Sequence, residues 1–530
     1  MIRGSLSLSV GALSVAAVIS IAAAAAAAPV EIPRWQPHDF DFPSAAETDN
    51  PFQVAFSVQV VRPNGLKLEL PGFYDGNGTW RARVSPDATG DWSLLTHSSL
   101  PDLDQRRVSF VCLTNRLPKV HGGLRVDIQH PHHFVLEDGA RFFLLGYECD
   151  WLWALDLQDP TLRTLNPFLD RLAASGFNGI LLNAFAYDTG WRSGKTGHDD
   201  FGPPALYAWA GDNIAPDHTR FNLVYWKHYD RVIEAMNQRG IMAHILIKVY
   251  NKQVNWPLKG SPEDDQYFRW LIARYAAYPN VQWDFSKESN NEKDLDYKLG
   301  RIRFIRDHDP YRRLITTHDD RKAYDSGAYR GVLDFRSDQV HSQWHASLLE
   351  HRRQQAWPVV NVEFGYEHGP GGLQDKTYNV VQTPEEVCRR AWEIYMAGGY
   401  GAYYYTYTAW DVLRPEDNPP GYAYFRRLRD FFETTTFWRL EPSDELVSTG
   451  YCLADRGREY VVFSDRGAPF TLKLEGLPMP LKARWYQPFT GKWRDAGSLA
   501  NGVVPLKPPQ GWTGAPVVLH VRGPEEASTR

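Results

Sequence analysis

Three patterns of hydrophobic and polar residues follow one another along the chain. From about residue 32 to residue 113, short alternating apolar and polar runs are separated by turn signals such as DGNG at 75–78. Alternation with a period of two residues is typical of strands that bury one face. The same pattern returns near the C-terminus. We therefore predict a β-sandwich over residues 29–115 and a second one over residues 437–523.

The central segment has a different pattern, in which continuous apolar runs alternate with amphipathic stretches. Apolar runs that predict strands lie at 142–148, 178–185, 241–248, 281–288, 314–318, 337–343, 359–364 and 401–408. Apolar strands alternating with helices favour a parallel sheet that is covered on both faces. Eight such repeats predict an α/β fold with a central (β/α)8 TIM barrel at 141–436. An open doubly wound sheet is the alternative, but no glycine-rich phosphate loop follows the first strand.

The remaining segments are short. The first 28 residues carry one charge, Arg3, followed by a stretch of apolar and small residues, which is typical of a secretory signal peptide. An uncleaved membrane anchor is the alternative interpretation. We expect a secreted or periplasmic protein with no membrane span after signal cleavage. Residues 116–140 are predicted to be a linker, and residues 524–530 a polar tail.

Composition narrows the classes of partner. The formal net charge of -5 gives no long-range attraction for phosphate backbones, so no nucleic acid is expected as a partner. The aromatic content of 14%, with 19 Trp, suits the recognition of sugar rings, which stack on flat apolar faces. The four cysteines are isolated from one another and from histidines, so neither a zinc site nor a disulfide framework is indicated. We expect no metal and no organic cofactor.

Two carboxylates mark the chemistry of the predicted barrel. In such a barrel the active site lies at the C-terminal ends of the strands, where Glu288 closes the fourth run and Glu363 the seventh. Ionisable groups that end apolar strands are costly unless they face a polar cavity. Two carboxyls facing each other across a barrel mouth can flank one glycosidic bond. A carbohydrate substrate and glycoside hydrolysis are therefore indicated, and a non-catalytic carbohydrate-binding protein is the alternative.

Several motifs also resemble a known family. The order of a β-sandwich, a barrel with WDFSKE at 283–288 and VNVEFG at 360–365, and a second sandwich resembles clan A glycoside hydrolases, in particular the apiosidase-like group. GFYDGNGTWRARVSP at 72–86 is similar to the small domain that precedes the barrel in those enzymes. RWYQPFTGKW at 484–493 is similar to their collagen-binding-like terminal sandwich. The resemblance implies a retaining double displacement with Glu288 as acid/base and Glu363 as nucleophile.

One position departs from the family pattern. Clan A enzymes usually carry Asn immediately before the acid/base, where its amide binds the sugar 2-hydroxyl, whereas this chain has Lys287. Either the contact with the 2-hydroxyl is lost, or another group such as Asn290 or Asn183 makes it. A shifted alignment would instead assign the acid/base to Glu292, but Glu288 keeps the family's spacing from Trp283.

Further side chains at the strand ends are substrate-binding candidates. Trp410 resembles the aromatic platform under the scissile sugar, with a core position as its alternative. His341 and His318 are expected to bind hydroxyls or the nucleophile, unless backbone groups satisfy them. Glu148 is expected to bind substrate or to pair with Lys248. The complete set of these candidates is Trp410, His341, Asn183, Glu148, His318, Trp191 and Lys287.

Trp191 belongs to a long segment, 186–221, that follows the second predicted strand and is rich in aromatic residues. Loops of this length in compact domains are usually functional or disordered. We expect this one to shape the substrate cleft.

Overall fold

The structure is a computed structural model that describes residues 1, 2, 4, 29–190, 199–372, 380–476 and 479–523. Its centre is a nearly closed barrel of parallel strands, which confirms the predicted TIM barrel. Each strand pairs with the next, and the eighth pairs with the first. The strands are Gly146–Glu148, Gly179–Asn183, Met242–Val249, Val281–Lys287, Ile315–Thr316 with His318–Asp319, Arg336–Asp338, Val359–Asn361 and Tyr400–Tyr405.

The fifth strand is the irregular part of this ring. It is interrupted at Thr317, and its first half pairs with the fourth strand while its second half pairs with the sixth. The predicted run at 314–318 therefore corresponds to two short pieces. The interruption places His318 at the start of the second piece, close to the C-terminal end of the barrel.

A helix follows each barrel strand. The third of these helices begins where the Ser261 hydroxyl caps the backbone N–H of Asp264 at 3.2 Å, with Pro262 at the first helical position. Thr383 and Pro384 begin the seventh helix in the same way. The helices are Leu165–Ala174, Leu223–Gln238, Pro262–Tyr275, Leu295–His308, Arg321–Asp325, Trp344–Gln354, Pro384–Met396 and Gly421–Glu433. Within the described ranges, no helix is both long and apolar enough to cross a bilayer.

Separate β domains flank the barrel at both ends, as the sequence predicts. The N-terminal domain packs a five-stranded sheet on a three-stranded one, and the C-terminal domain packs a six-stranded sheet on a two-stranded one. The N-terminal strands are Val30–Pro33, His38–Pro43, Phe56–Val61, Lys67–Pro71, Phe73–Tyr74, Thr79–Val84, Gly90–Ser98 and Arg107–Leu113. The C-terminal strands are Glu441–Pro442, Tyr451–Asp455, Glu459–Ser464, Phe470–Leu474, Leu481–Gln487, Lys492–Leu499, Gly502–Leu506 and Val517–Arg522.

A small three-stranded sheet lies between the N-terminal domain and the barrel. It consists of Leu124–Val126, Phe134–Leu136 and Arg141–Phe142, so two of its strands fall within residues 116–140. The buried ring of Phe134 packs edge-to-face on Phe335 at 5.5 Å, just before the sixth barrel strand. The sheet therefore covers the end of the barrel that lies opposite the carboxyl ends of the strands.

Both sandwiches are attached to barrel helices through aromatic side chains. On the N-terminal side, Phe52 and Phe73 pack on Trp270 of the third helix with centroid distances of 5.6 and 5.9 Å. On the C-terminal side, Phe463 stacks on Trp392 of the seventh helix at 5.7 Å. Aromatic burial of this kind stabilises an interface strongly, so both domains brace the barrel from outside.

The eighth helix is attached to the barrel through a buried carboxyl. Glu367 accepts hydrogen bonds from the Tyr403 hydroxyl at 2.7 Å and from the Gly421 backbone N–H at 2.9 Å. A Cβ at Gly421 would lie 2.1 Å from Glu367 Oε2, so this close approach requires glycine. Burial raises the pKa of Glu367 to about 7.

This raised pKa predicts a specific pH dependence of stability. The pKa of Glu367 is about 7 in the folded protein and near its ordinary 4.5 when unfolded, so its stabilising contribution is complete below pH 4.5 and is lost as pH rises through 7. Glu367→Gln removes this loss, so the variant should gain on the order of 2 kcal/mol relative to wild type between pH 5 and pH 8. Denaturant unfolding at both pH values measures the difference. The exposed Glu385→Gln gives the background, and an equal difference at both pH values would refute the assignment.

Candidate active site

Glu288 and Glu363 follow the ends of the fourth and seventh barrel strands. Glu288 is the first residue after the fourth strand, is partly exposed, and has a left-handed backbone with φ of 54°. This conformation costs a non-glycine residue about 1–2 kcal/mol. Such strain persists where the surrounding structure imposes it, and it is concentrated at functional sites. Glu363 lies two residues beyond the seventh strand and is buried, with 5% of its surface exposed.

Lys287 lies at the centre of a cluster of acidic side chains. Its ammonium, 1% exposed, donates to Glu148 of the first strand, to Asp150 at 3.0 Å and to the Tyr404 hydroxyl at 2.6 Å. It also lies 3.3 Å from Glu363 Oε1. Tyr404 in turn donates to that same Glu363 oxygen at 3.1 Å. Four barrel strands, the first, fourth, seventh and eighth, thus contribute to one network.

The network divides its charges unevenly. Burial alone would raise the pKa of Glu363, but the Lys287 ammonium, His318, His341 and a hydrogen bond with Glu148 together outweigh burial and lower this pKa to about 2. Burial raises the pKa of Glu148 well above its ordinary value; Lys287 opposes that shift and the charge of Asp150 adds to it. Glu148 Oε2 is buried with no hydrogen-bond donor in reach, which also fits a protonated carboxyl. The two pKa values thus shift in opposite directions, which keeps Glu363 ionised at neutral pH and favours the protonated form of Glu148.

A second buried lysine enters from the loop after the third strand. Lys252 is fully buried, and burial together with the charge of Lys287 lowers its pKa to about 8. The charges of Glu288 and Glu363 both oppose this shift. The same two carboxylates also influence the pKa values of His341 and Tyr366. Glu288 and Glu363 thus act on the same three side chains, Lys252, His341 and Tyr366.

Asn183 and His318 bring further polar atoms to the strand ends. Asn183 ends the second strand fully buried, and neither its amide oxygen nor its amide nitrogen has a hydrogen-bond partner among the described protein atoms. The same holds for both ring nitrogens of His318, which is 1% exposed. Buried polar groups in native proteins are nearly always paired, so these atoms are suited to binding water or a ligand hydroxyl. His318 is close enough to help lower the pKa of Glu363.

His341 and Trp410 complete the described candidates. Burial lowers the pKa of His341, against the opposing charges of Glu363 and Glu288, so its ring is mainly neutral at pH 7. Trp410 is partly exposed after the eighth strand, with a left-handed backbone, and packs edge-to-face on Tyr366 at 5.3 Å. Tyr366 lies 4.4 Å from Tyr404, which connects Trp410 to the lysine cluster. Trp191 lies outside the described residues.

The structure excludes two of the alternative interpretations. Lys248 pairs with Asp264 at 2.6 Å and with the Tyr297 hydroxyl at 2.7 Å, so the interpretation that Glu148 pairs with Lys248 is wrong. His318 receives no hydrogen bond from backbone groups in the described part of the chain, so it is not a backbone-satisfied core histidine.

The other glutamate proposed for the acid/base position occupies a different environment. Glu292 accepts hydrogen bonds from Lys259 and from the backbone N–H of Asp294, both at 2.9 Å. These contacts hold it within the loop that precedes the fourth helix.

Some members of the site were not singled out from the sequence. Tyr404 could have been found by alternation along the eighth strand, because Tyr403 packs outward on Phe425 while Tyr404 points inward. Asp150 lies two residues beyond the first strand, where a strand-end carboxylate is expected. Lys252 gave no sequence signal, because it lies in a loop. Among the residues that the structure describes, no three His, Cys, Asp or Glu side chains are arranged to hold a metal ion.

Comparisons with known proteins agree with this architecture. The family model "Apiosidase-like, catalytic domain" matches residues 129–445. The model "Domain of unknown function (DUF5060)" matches residues 31–99, and "Putative collagen-binding domain of a collagenase" matches residues 443–521. No curated protein sequence matches the chain.

Solved structures with the same fold were also found. A "putative glycoside hydrolase" from Bacteroides vulgatus ATCC 8482 superposes with a TM-score of 0.77 at 19% identity, covering 93% of this chain and 99% of its own. A glycoside hydrolase family 5 protein from the same organism gives a TM-score of 0.57 at 19% identity, covering 76% of this chain and 93% of its own. These similarities establish the glycoside hydrolase fold, and the match of residues 129–445 shows that the chain belongs to the apiosidase-like catalytic-domain family.

Proposed function

We propose that the protein is an exported glycoside hydrolase that cleaves a poly- or oligosaccharide with retention of anomeric configuration. Glu363 is the nucleophile and Glu288 is the acid/base. The observation that carries the proposal is that a buried Glu363, whose pKa is held low, shares the neighbours Lys252, His341 and Tyr366 with the strand-end carboxyl of Glu288. Residues 1–28 are its proposed export signal.

The proposed reaction has two steps. In the first, a Glu363 oxygen attacks the anomeric carbon while Glu288 donates its proton to the departing glycosidic oxygen, which leaves a covalent glycosyl-enzyme. In the second, Glu288 takes a proton from water, whose oxygen attacks the anomeric carbon and releases Glu363 as a carboxylate. One carboxyl must therefore be ionised while the other carries a proton.

The environment of Glu363 supports the nucleophile role. A nucleophile must be unprotonated at the working pH and held in one orientation. Lys287, with help from His318, His341 and Glu148, keeps the pKa of Glu363 at about 2, and the hydrogen bond from Tyr404 fixes one of its oxygens. Lys287 and Tyr404 both engage Oε1, and Tyr366 and Glu148 also hydrogen-bond to this carboxylate.

The environment of Glu288 supports the acid/base role in a different way. Its side chain is partly exposed. An acid/base needs this exposure because it must reach both the leaving oxygen and the incoming water. The left-handed backbone at Glu288 turns the chain immediately after Lys287, so that adjacent residues serve different purposes. Lys287 enters the buried network and Glu288 stays at the mouth.

Asn183 and His318 are proposed to bind sugar hydroxyls. Each presents a donor and an acceptor that protein atoms of the described ranges leave unsatisfied. With Lys287 occupied by carboxylates, the amide of Asn183 replaces the family's Asn as the contact for the 2-hydroxyl. Trp410 provides the ring on which a sugar face stacks.

A second candidate function is carbohydrate binding without catalysis. The observation that favours it is the direct contact of Lys287 with Glu363, because a permanent cation beside the carboxylate weakens it as a nucleophile. Incubation with pectins, hemicelluloses, algal polymers and a panel of 4-nitrophenyl glycosides separates the two candidates. Hydrolysis products support the enzyme, whereas retention on a polymer without products supports the binder.

Replacement of the two carboxylates tests the mechanism. Glu288→Ala should lower kcat/KM about 10²- to 10⁴-fold on a 4-nitrophenyl glycoside, and much less on the 2,4-dinitrophenyl analogue, because that leaving group needs no protonation. Its kcat should fall on both substrates, because Glu288 also activates the water of the second step. Glu363→Ala should abolish turnover of both substrates. Azide should then restore turnover of Glu363→Ala and yield a glycosyl azide of inverted configuration. NMR spectroscopy of the products identifies the anomer.

Glu292→Ala is the matched control for these variants, because Glu292 is a nearby carboxylate held by Lys259. It should retain most of the activity. Loss of activity in Glu292→Ala with little loss in Glu288→Ala would reassign the acid/base.

Two asparagines of the second strand region test the proposed hydroxyl contact. At the opposite end of the strand from Asn183, Asn178 accepts from Leu145 N–H at 2.8 Å and donates to the Phe143 carbonyl at 2.9 Å. Asn178→Leu leaves both partners unpaired and should cost about 2–4 kcal/mol of folding free energy. Asn183→Leu should stay within about 1 kcal/mol of wild type and yet lower kcat/KM strongly. Denaturant unfolding combined with kinetics measures both, and similar destabilisation by the two substitutions would argue against the assignment.

A further inference from the structure

The contact between Lys287 and Glu363 raises an electrostatic problem for the proposed function. The transition state of glycoside hydrolysis resembles an oxocarbenium ion, so positive charge develops on the sugar next to the nucleophile. A lysine ammonium 3.3 Å from Glu363 Oε1 repels that charge and withdraws the negative charge that should stabilise it. An isolated lysine at this position would therefore slow the reaction.

The structure also contains the group that offsets this effect. Both oxygens of Asp150 lie at hydrogen-bond distance from the Lys287 ammonium, at 3.0 and 3.1 Å. Asp150 is fully buried, so its charge is not screened by solvent. Burial raises the pKa of Glu148, which also contacts Lys287, so Glu148 holds its negative charge less readily than an ordinary carboxyl. Asp150 therefore offsets the charge of Lys287.

We propose that Asp150 is a positioning residue that neutralises Lys287, so that Lys287 and Tyr404 orient Glu363 without reducing its negative charge toward the sugar. This inference rests on the proposed function. Asp150 acts through Lys287 and does not touch the substrate. Clan A enzymes have one neutral Asn before the acid/base. In this chain a cation and an anion whose charges are equal in size and opposite in sign take its place.

The titratable groups around Glu363 come from seven of the eight barrel strands or the loops that follow them, the second strand being the exception. The effect of a substitution at Lys287 or Asp150 on Glu363 therefore adds to the effects of these other groups. The titratable and charged members of that background are Glu148, Asp150, Lys252, Lys287, Glu288, His318, His341, Tyr366, Tyr404 and, from the seventh helix, Arg390.

The test is a charge-matched mutant cycle of Lys287→Met, Asp150→Asn and the double variant. The probe is the 4-nitrophenyl glycoside that wild type hydrolyses fastest. Asp150→Asn leaves the lysine charge unopposed, so kcat should fall about 10²-fold with little change in KM. Lys287→Met leaves buried carboxylates without their cation, so the acid limb of kcat/KM should move up by at least about one pH unit. The double variant restores the charge balance and should recover at least about tenfold in kcat over Asp150→Asn.

A second buried lysine–aspartate pair provides the control. Lys248 near the end of the third strand and Asp264 of the third helix are both buried, 2.6 Å apart, and their side-chain hydrogen bonds go to each other, to Tyr297 and to Gly260 rather than to the catalytic carboxylates. Lys248→Met, Asp264→Asn and their double variant should lower the melting temperature as the Lys287 cycle does. They should leave the acid limb of the pH profile unchanged.

The outcomes separate failure of this inference from failure of the proposed function. A wild-type protein that hydrolyses nothing in the substrate panel refutes the proposed function and this inference with it. An active wild type whose double variant is no faster than Asp150→Asn, with an unmoved acid limb in Lys287→Met, refutes the inference alone. If Lys287→Met does not fold, the ratio of kcat between Asp150→Asn and the double variant still tests the inference. Asp150→Asn removes only the negative charge of the pair, whereas the double variant removes both charges.

Discussion

The site depends on one electrostatic constraint, which is the burial of the Lys287 ammonium inside the barrel. A buried ion is tolerated only when opposite charges and hydrogen bonds compensate it well. Lys287 obtains this compensation from Asp150, Glu148, Tyr404 and Glu363, which come from three other strands. The requirement to satisfy one lysine therefore fixes where the proposed nucleophile lies and whether it is ionised.

The fold provides the rigidity that this arrangement needs. The barrel strands that contribute to the network are linked by continuous parallel pairing from the first strand to the fourth and from the seventh through the eighth back to the first. Sandwiches at both ends pack on the outer helices through Trp270 and Trp392. The opposite end of the barrel is closed by a small sheet that contains Phe134. The proposed site thus lies at the other end of the barrel, where the strand-end carboxylates are found.

The sequence predicted the architecture well because that part of the problem is local. Apolar runs and helical periodicity repeat within windows of about 10 to 20 residues, and eight repeats are enough to specify a barrel. The two proposed catalytic residues were also accessible, since each is a carboxylate at the end of an apolar strand. The presence of Lys287 where clan A enzymes usually carry Asn is also evident from the sequence.

What could not be predicted is which strand ends meet. Lys287 lies 139 positions from Glu148 and 117 from Tyr404 along the chain, and nothing local distinguishes that pairing from others. From the sequence, Glu148 could equally well pair with Lys248. In the structure, Lys248 pairs instead with Asp264 of the third helix. Lys252 and the interruption at Thr317 depend on loop and barrel closure, which no periodicity encodes.

The central claim is that Glu363 forms a covalent bond with the sugar. The most direct measurement is to incubate the enzyme with a 2,4-dinitrophenyl 2-deoxy-2-fluoroglycoside of the sugar it hydrolyses, digest the trapped protein and map the label by mass spectrometry. We predict one sugar per chain, attached to the peptide that contains Glu363. A label on Glu288, Glu148 or Asp150, or full turnover with inverted product and no trapped species, would contradict the account.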